Sequence, residues 1–195
     1  MASVRPAPGA AAEYHEIVAF LESRAAREVA HVAKTLFEHL HGTYELLREW
    51  GSPTELCHAG LCHAVYGTDG LATALLDVRI ERPALAAVIG DAAEAQVYLY
   101  ASCDRGYLYP QLGTAGRPSF RDRFTGDTFV PDPAAFAAFM ELTFANELDM
   151  FRGDPVLVGQ HQATWGVRFD RSQRFVSAPA FACFRSVFGG PELRS

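Results

Sequence analysis

The chain lacks an excess of positive charge: 17 lysines and arginines stand against 23 aspartates and glutamates, a formal net charge of −6. That balance offers no basic stripe from which phosphate contacts could release counterions, so nucleic acid is not an expected partner. No apolar run approaches the about 20 residues that a bilayer-spanning helix needs, so no membrane contact is expected either. Cysteine is scarce. Cys57, Cys62, Cys103 and Cys183 stand at no metal-finger spacing and read as reduced, partly buried thiols of a cytoplasmic protein. Strand signals are weak throughout, and no internal repeat is present. Residues 1–11 contain Pro6 and Pro8 but no long apolar core, so they read as a disordered tail rather than a signal peptide.

What is present is a helical pattern with enough apolar residues, 49% of 195, for one substantial core. A first helix is predicted from Glu13 to Ala26 and a longer one from Glu28 to Trp50, where Leu36, Leu40, Tyr44, Leu47 and Trp50 recur at three- and four-residue steps. Gly51 is a C-terminal stop. Ser52, Pro53 and Glu55 then form the pattern of a capping box opening the next helix, which carries Leu56, Ala59, Gly60 and His63. The small residues before His63 would let a neighbouring helix approach closely. Gly67 to Gly70 reads as a turn, Pro83 to Ile89 as a short helix ending at Gly90, and Asp91 to Cys103 as a further helix with the same capping logic. Residues 105–131 are irregular, rich in glycine, proline and alternating charge, and long enough to be a lid. Asp132 and Pro133 open the last strong helix, to Phe151, and a final helix is expected from Pro179 to Val187. The class is all-α. Residues 12–152 form the main helical domain, and residues 153–195 form an extension that packs on it as a pocket cover or a homodimer contact.

Five of the seven histidines, His31, His39, His41, His58 and His63, fall within residues 31–63. Neutral imidazole is the commonest metal ligand and the usual acid or base near neutral pH. A single helical histidine is more often structural, and His15, His41, His58 and His161 are read that way. His39 and His63 stand apart through their context: a helix histidine, a helix-ending glycine at Gly51, and a second histidine in Leu61-Cys62-His63-Ala64.

This pattern resembles the HD superfamily of helical metal-dependent enzymes, and within it the alarmone (guanosine polyphosphate) hydrolases. Their first histidine, helix-ending glycine and second histidine fall at about the spacings of His39, Gly51 and His63. Ile89-Gly90 followed by Ala93 to Leu99 looks like their glycine-led helix. Leu142-Thr143-Phe144-Ala145-Asn146 looks like the late segment that supplies their last metal ligand. The likeness covers about residues 28–150 and implies an HD-like helical bundle. It is also similar to a group of HD-like domains in which the second histidine is followed by serine or alanine. The departures are specific. Ala64 replaces a metal-binding aspartate, Asn146 replaces the last aspartate, and Gly67 and Thr68 replace the acidic pair that activates water. Alarmone hydrolysis is therefore not expected.

Two histidines remain, with Asp149 one turn beyond Asn146 and with Asp69 and Asp104 as further carboxylates. Two histidines and one carboxylate leave open positions on an octahedral ion, as in non-haem iron oxygenases. The expected metal group is thus His39, His63, Asn146 and Asp149, holding a divalent ion, iron or manganese. His31, Asp104 and Arg105 are the candidates for catalysis beside it. On the resemblance, His31 faces the substrate side, with Lys34 nearby. Tyr66, Asp69, Arg121 and Arg123 complete the candidate substrate contacts; the two arginines lie in Phe120-Arg121-Asp122-Arg123-Phe124, a segment able to offer guanidinium forks to an anion. Three readings follow. The first is a metal-dependent enzyme acting on a small anionic metabolite, with an iron-type oxidative reaction favoured. The second is a phosphohydrolase of the HD type. The third is a catalytically silent domain that binds a ligand or partner.

Overall fold

A computed structural model describes residues 8–31, 34–70, 73–114 and 116–189. The molecule is an all-α helical bundle. Its helices are α1 (Pro8–Ser23), α2 (Leu36–Glu49), α3 (Thr54–Cys62), α4 (Arg82–Ile89), α5 (Asp91–Ser102), α6 (Arg105–Leu108), α7 (Pro133–Phe151), α8 (Pro155–His161), α9 (Val167–Arg171) and α10 (Ala178–Phe188). Two antiparallel hairpins of two-residue strands interrupt them: β1 (Ala30–His31) with β2 (Lys34–Thr35), and β3 (Phe120–Arg121) with β4 (Thr128–Phe129). Among the described residues no helix is long and apolar enough to cross a membrane.

The centre is made by α2, α3, α5 and α7. Helix α2 packs on α3 and α7, and α3 packs on α5. Leu36, Leu40 and Leu47 of α2 and Leu142, Phe144 and Leu148 of α7 are fully buried, as the three- and four-residue spacing requires. Gly60 brings α2 and α3 together: a Cβ there would lie 2.5 Å from Leu47 Cδ1. The corner between these helices turns at Gly51, whose φ of +75° is the left-handed conformation that glycine tolerates.

Several boundaries differ from the sequence reading. The long helix expected from Glu28 is broken, and Ala30–His31 pairs with Lys34–Thr35 as β1 and β2. The reason lies at Thr35, whose extended backbone and hydroxyl start α2 afresh. Thr35 Oγ1 accepts from the Glu38 amide at 3.2 Å, and Glu38 Oε2 accepts from the Thr35 amide at 2.7 Å. This is a capping box, which satisfies two amides that a helix start leaves orphaned. The box expected at Ser52 and Glu55 is absent: Pro53 precedes α3 and no side chain caps it. Gly90, not Asp91, precedes α5, again without a side-chain cap. Part of the expected tail is helical, since α1 begins at Pro8, while residues 1–7 lie outside the described residues. At α7 the expectation holds. Asp132 Oδ1 accepts from the amides of Ala134 and Ala135 at 2.8 and 3.3 Å.

The segment after Phe151 shares the core. Phe144 of α7 lies 4.3 Å, centroid to centroid, from Phe169 of α9, and Phe151 lies 5.0 Å from Phe188 of α10. Edge-to-face aromatic pairs of this kind add to the area they bury. Glu141 of α7 accepts from the Ser177 amide at 2.8 Å and from its hydroxyl at 2.5 Å, tying down the start of α10.

Thr35→Ala is expected to lower the unfolding free energy by about 1 kcal/mol. Urea titration should show a lower midpoint with an unchanged slope.

Candidate functional site

Three helices bring the site together. His39 lies in the first turn of α2, His63 follows the last residue of α3, and Asn146 and Asp149 lie one turn apart on α7. Both imidazoles are buried. Their ring centroids are 5.1 Å apart, with the planes at 83°. The Tyr100 ring of α5 meets the other side of His63 at 5.3 Å and 86°.

Each imidazole is anchored through Nδ1. His39 Nδ1 lies 2.6 Å from Asp149 Oδ2. His63 Nδ1 lies 2.8 Å from the Gly60 carbonyl oxygen, an acceptor only, so His63 carries its proton on Nδ1. The opposite edge of His39 meets α7, with Nε2 3.0 Å from Asn146 Oδ1. Asn146 Nδ2 donates to Glu147 Oε1 at 2.9 Å.

Asp149 is the electrostatic hinge of the group. Lys34 Nζ donates to the same Oδ2 at 2.5 Å. Burial pushes the Asp149 carboxyl up, but the hydrogen bonds and charges of His39 and Lys34 outweigh it and hold the group below its ordinary value. Burial pushes Glu147 the other way, above the usual carboxylate range, against the opposing pull of Arg105 and His39. Room for Asp149 comes from Gly42, one turn along α2 from His39, since a Cβ at Gly42 would collide with the Asp149 carboxylate.

This geometry changes the expected ligand set. Asn146 and Asp149 sit on opposite edges of the His39 ring, so one ion cannot take both together with that imidazole. Asp149 is therefore an anchor for His39 and a partner of Lys34. Among the described residues, no group of three or more His, Cys, Asp or Glu side chains is placed to hold an ion. His39 is where the others meet: its ring lies against His63, and its Nε2 lies beside Asn146 Oδ1.

The other candidates have other employment. Lys34 reaches the site through Asp149, but Tyr66 donates to Glu94 at 3.0 Å, inside a network completed by Arg82. Asp69 is exposed and accepts from the Arg105 amide at 2.9 Å. Asp104 does not pair with Arg105. It caps α6 by accepting from the Tyr107 amide at 2.9 Å and binds Arg121 at 2.6 Å. Arg123 donates to the carbonyls of Ala101 at 2.6 Å and Gly67 at 3.3 Å. Both arginines therefore fasten the β3–β4 hairpin to the bundle instead of offering forks to a ligand. The backbone of His31 lies in β1, not on a helix, and its side chain lies outside the described residues.

Three participants escaped the sequence reading. Gly42 carries no motif, and its role is visible only when α7 is docked. Glu147 follows Asn146 directly but belongs to no recognised spacing. Tyr109, on the turn after α6, packs on Trp165 of the C-terminal segment at 5.5 Å. A separate groove of about 710 Å³, lined by Trp50, Pro53, Leu56, Ala138 and Phe175 among others, involves none of the site residues.

Comparison with known proteins adds one likeness. Residues 20–105 match the profile of a domain of unknown function, DUF6817. The matched stretch contains His39, Gly42 and His63 and stops before Asn146 and Asp149. No curated protein and no solved structure matches the chain.

Two outcomes are expected. Helix propensity alone would make Gly42→Ala stabilising by about 1 kcal/mol. The collision with Asp149 instead predicts a lower melting temperature and a displaced His39, read by thermal unfolding and by the imidazole NMR signals. Asp149 contributes stability above its unfolded pKa, about 3.9, and that contribution fades as pH falls through its lower folded value. The stability gap between wild type and Asp149→Asn should therefore be constant near neutrality and close below about pH 4, as urea unfolding at a series of pH values would show.

Proposed function

We propose that this chain is an HD-like metalloenzyme acting on a small anionic molecule, with a divalent ion held by Nε2 of His39, Nε2 of His63 and Oδ1 of Asn146. The observation that carries the reading is the rear anchoring of both imidazoles, His39 Nδ1 on Asp149 and His63 Nδ1 on the Gly60 carbonyl. Metal-binding histidines characteristically donate their second ring nitrogen to a carboxylate or a backbone carbonyl, which fixes the tautomer and aims the other nitrogen. Spacing agrees. Two imidazoles bound at about 2.1 Å to one ion place their ring centres roughly 5 Å apart, against 5.1 Å here. The resemblance to the HD superfamily points to the same pair of histidines.

Such an ion supplies Lewis-acid polarisation of an oxygen-bearing substrate. The chain's own part is to hold it with neutral donors, which leave its charge undiminished toward an anion. Asp149 keeps the Nδ1 proton of His39, and Lys34 balances the carboxylate, so the rear of the site is electrically closed. A carboxylate in direct contact with the ion, which the iron oxygenase arrangement needs, has to come from Glu147 and not from Asp149. The oxidative reaction with iron thus calls on Glu147, while hydrolysis of the manganese type needs no carboxylate on the ion but would have to activate water without the acidic pair that Gly67 and Thr68 replace.

The 2.6 Å contact between Asp149 and His39 supports a metal-free reading equally. A carboxylate on Nδ1 also orients an imidazole that exchanges protons through Nε2.

Elemental analysis of protein purified without added metal separates these readings. The expected result is a near-stoichiometric ion in wild type that is lost in His39→Ala and His63→Ala. Asp149→Asn should weaken retention about 10- to 100-fold, the size of effect an outer-shell partner has. Circular dichroism establishes that each variant is folded. A metal-free wild type that turns over substrate selects the acid–base reading. An ion retained equally by folded His39→Ala and His63→Ala would sink the metal site.

A further inference from the structure

Beside His63 lies a second group of polar atoms that the proposed ion does not use. Tyr100 is fully buried and Tyr109 nearly so, and neither hydroxyl has a partner at strict hydrogen-bond geometry among the described residues, although the Arg105 side chain acts on the Tyr100 phenol through a hydrogen bond as well as through its charge. Arg105 Nε is buried and unpartnered in the same way. Leaving a buried donor unsatisfied is unfavourable, and most such groups in folded proteins are paired. Three orphans within ten residues of sequence, on α5, α6 and the turn after it, therefore call for a common explanation.

Their surroundings supply it. The Arg105 guanidinium lies 5.1 Å from the Tyr100 ring centre, and its Nη1 is fastened to the Asp69 carbonyl. Tyr109 packs on Trp165 at 5.5 Å and beneath the Arg168 guanidinium at 5.0 Å. Burial pushes both phenols up, against the pull of the Arg105 charge, so both stay protonated donors near neutral pH. The unpartnered atoms are thus two O–H groups and one N–H group, with two guanidiniums at hand. Glu147 shares the field of Arg105 and of both phenols. The Tyr100 ring touches His63, so whatever these donors hold lies next to the histidine pair.

We infer that Tyr100, Tyr109 and Arg105 form a subsite for a small oxyanion, the carboxylate or phosphate group of a ligand whose remainder extends toward His63 and His39. The subsite deepens the reading of an anionic substrate but does not depend on the ion. The C-terminal segment, through Trp165 and Arg168, forms one wall of it.

The test uses the full chain after treatment with chelator, titrated calorimetrically and by thermal shift with inorganic phosphate and, separately, with acetate. Wild type should be stabilised by at least one of them. Tyr100→Phe and Tyr109→Phe should each weaken that binding about tenfold, as the loss of one hydrogen bond to a charged group implies. Neither should lower the ligand-free melting temperature, because each removes a buried unpaired hydroxyl. Stabilisation by phosphate alone assigns a phosphoryl group, and by acetate alone a carboxylate. If neither anion stabilises the protein, or if both phenylalanine variants bind as wild type does, water occupies these donors and the subsite is overturned. Metal content is expected to be the same in these variants as in wild type. Loss of the ion site and loss of the oxyanion site are thereby read by separate measurements.

Discussion

The carboxylate of Asp149 lodged in the notch left by Gly42 is the contact on which the site depends. It joins α7 to α2 at the level of His39, and through Lys34 it joins both to the hairpin before α2. A buried carboxylate is costly unless paired. Here one oxygen of the part-buried carboxylate receives both an imidazole and an ammonium. The same contact fixes which nitrogen of His39 faces inward. Packing, charge balance and tautomer are therefore one constraint seen three ways.

The helical class, the Gly51 corner, the Asp132 cap and the inward face of α7 were all legible from periodicity and capping residues. Each is a local signal, decided within a turn or two of chain. His39 lies against both His63 and Asn146, a juxtaposition that no local spacing signals. What could not be read was anything that depends on how distant elements dock. Asp149 and Asn146 look equivalent on a helical wheel, yet they address opposite edges of one ring. Arg121 and Arg123 look like ligand forks until the hairpin folds and Asp104 and two carbonyls claim them. Capping failed for a different reason. Ser52 and Glu55 have the right identities, but the chain is already turning through Gly51 and Pro53, while Thr35 and Glu38 occupy the better-formed start.

Two of the positions at which the chain departs from the HD likeness, Ala64 and Asn146, have different surroundings. Ala64 is buried in the core. Asn146 keeps an oxygen in place, 3.0 Å from His39, and exchanges charge for a second hydrogen bond, to Glu147.

Lys34 is the residue immediately before Thr35, the cap of α2. The ammonium that neutralises the rear of the site is thus delivered by the same two-residue step that starts the helix bearing His39. Fraying at that step would withdraw the counter-charge and loosen the imidazole together. The first turn of α2 accordingly behaves as a single switchgear element, in which a fault in backbone order registers as a fault in charge.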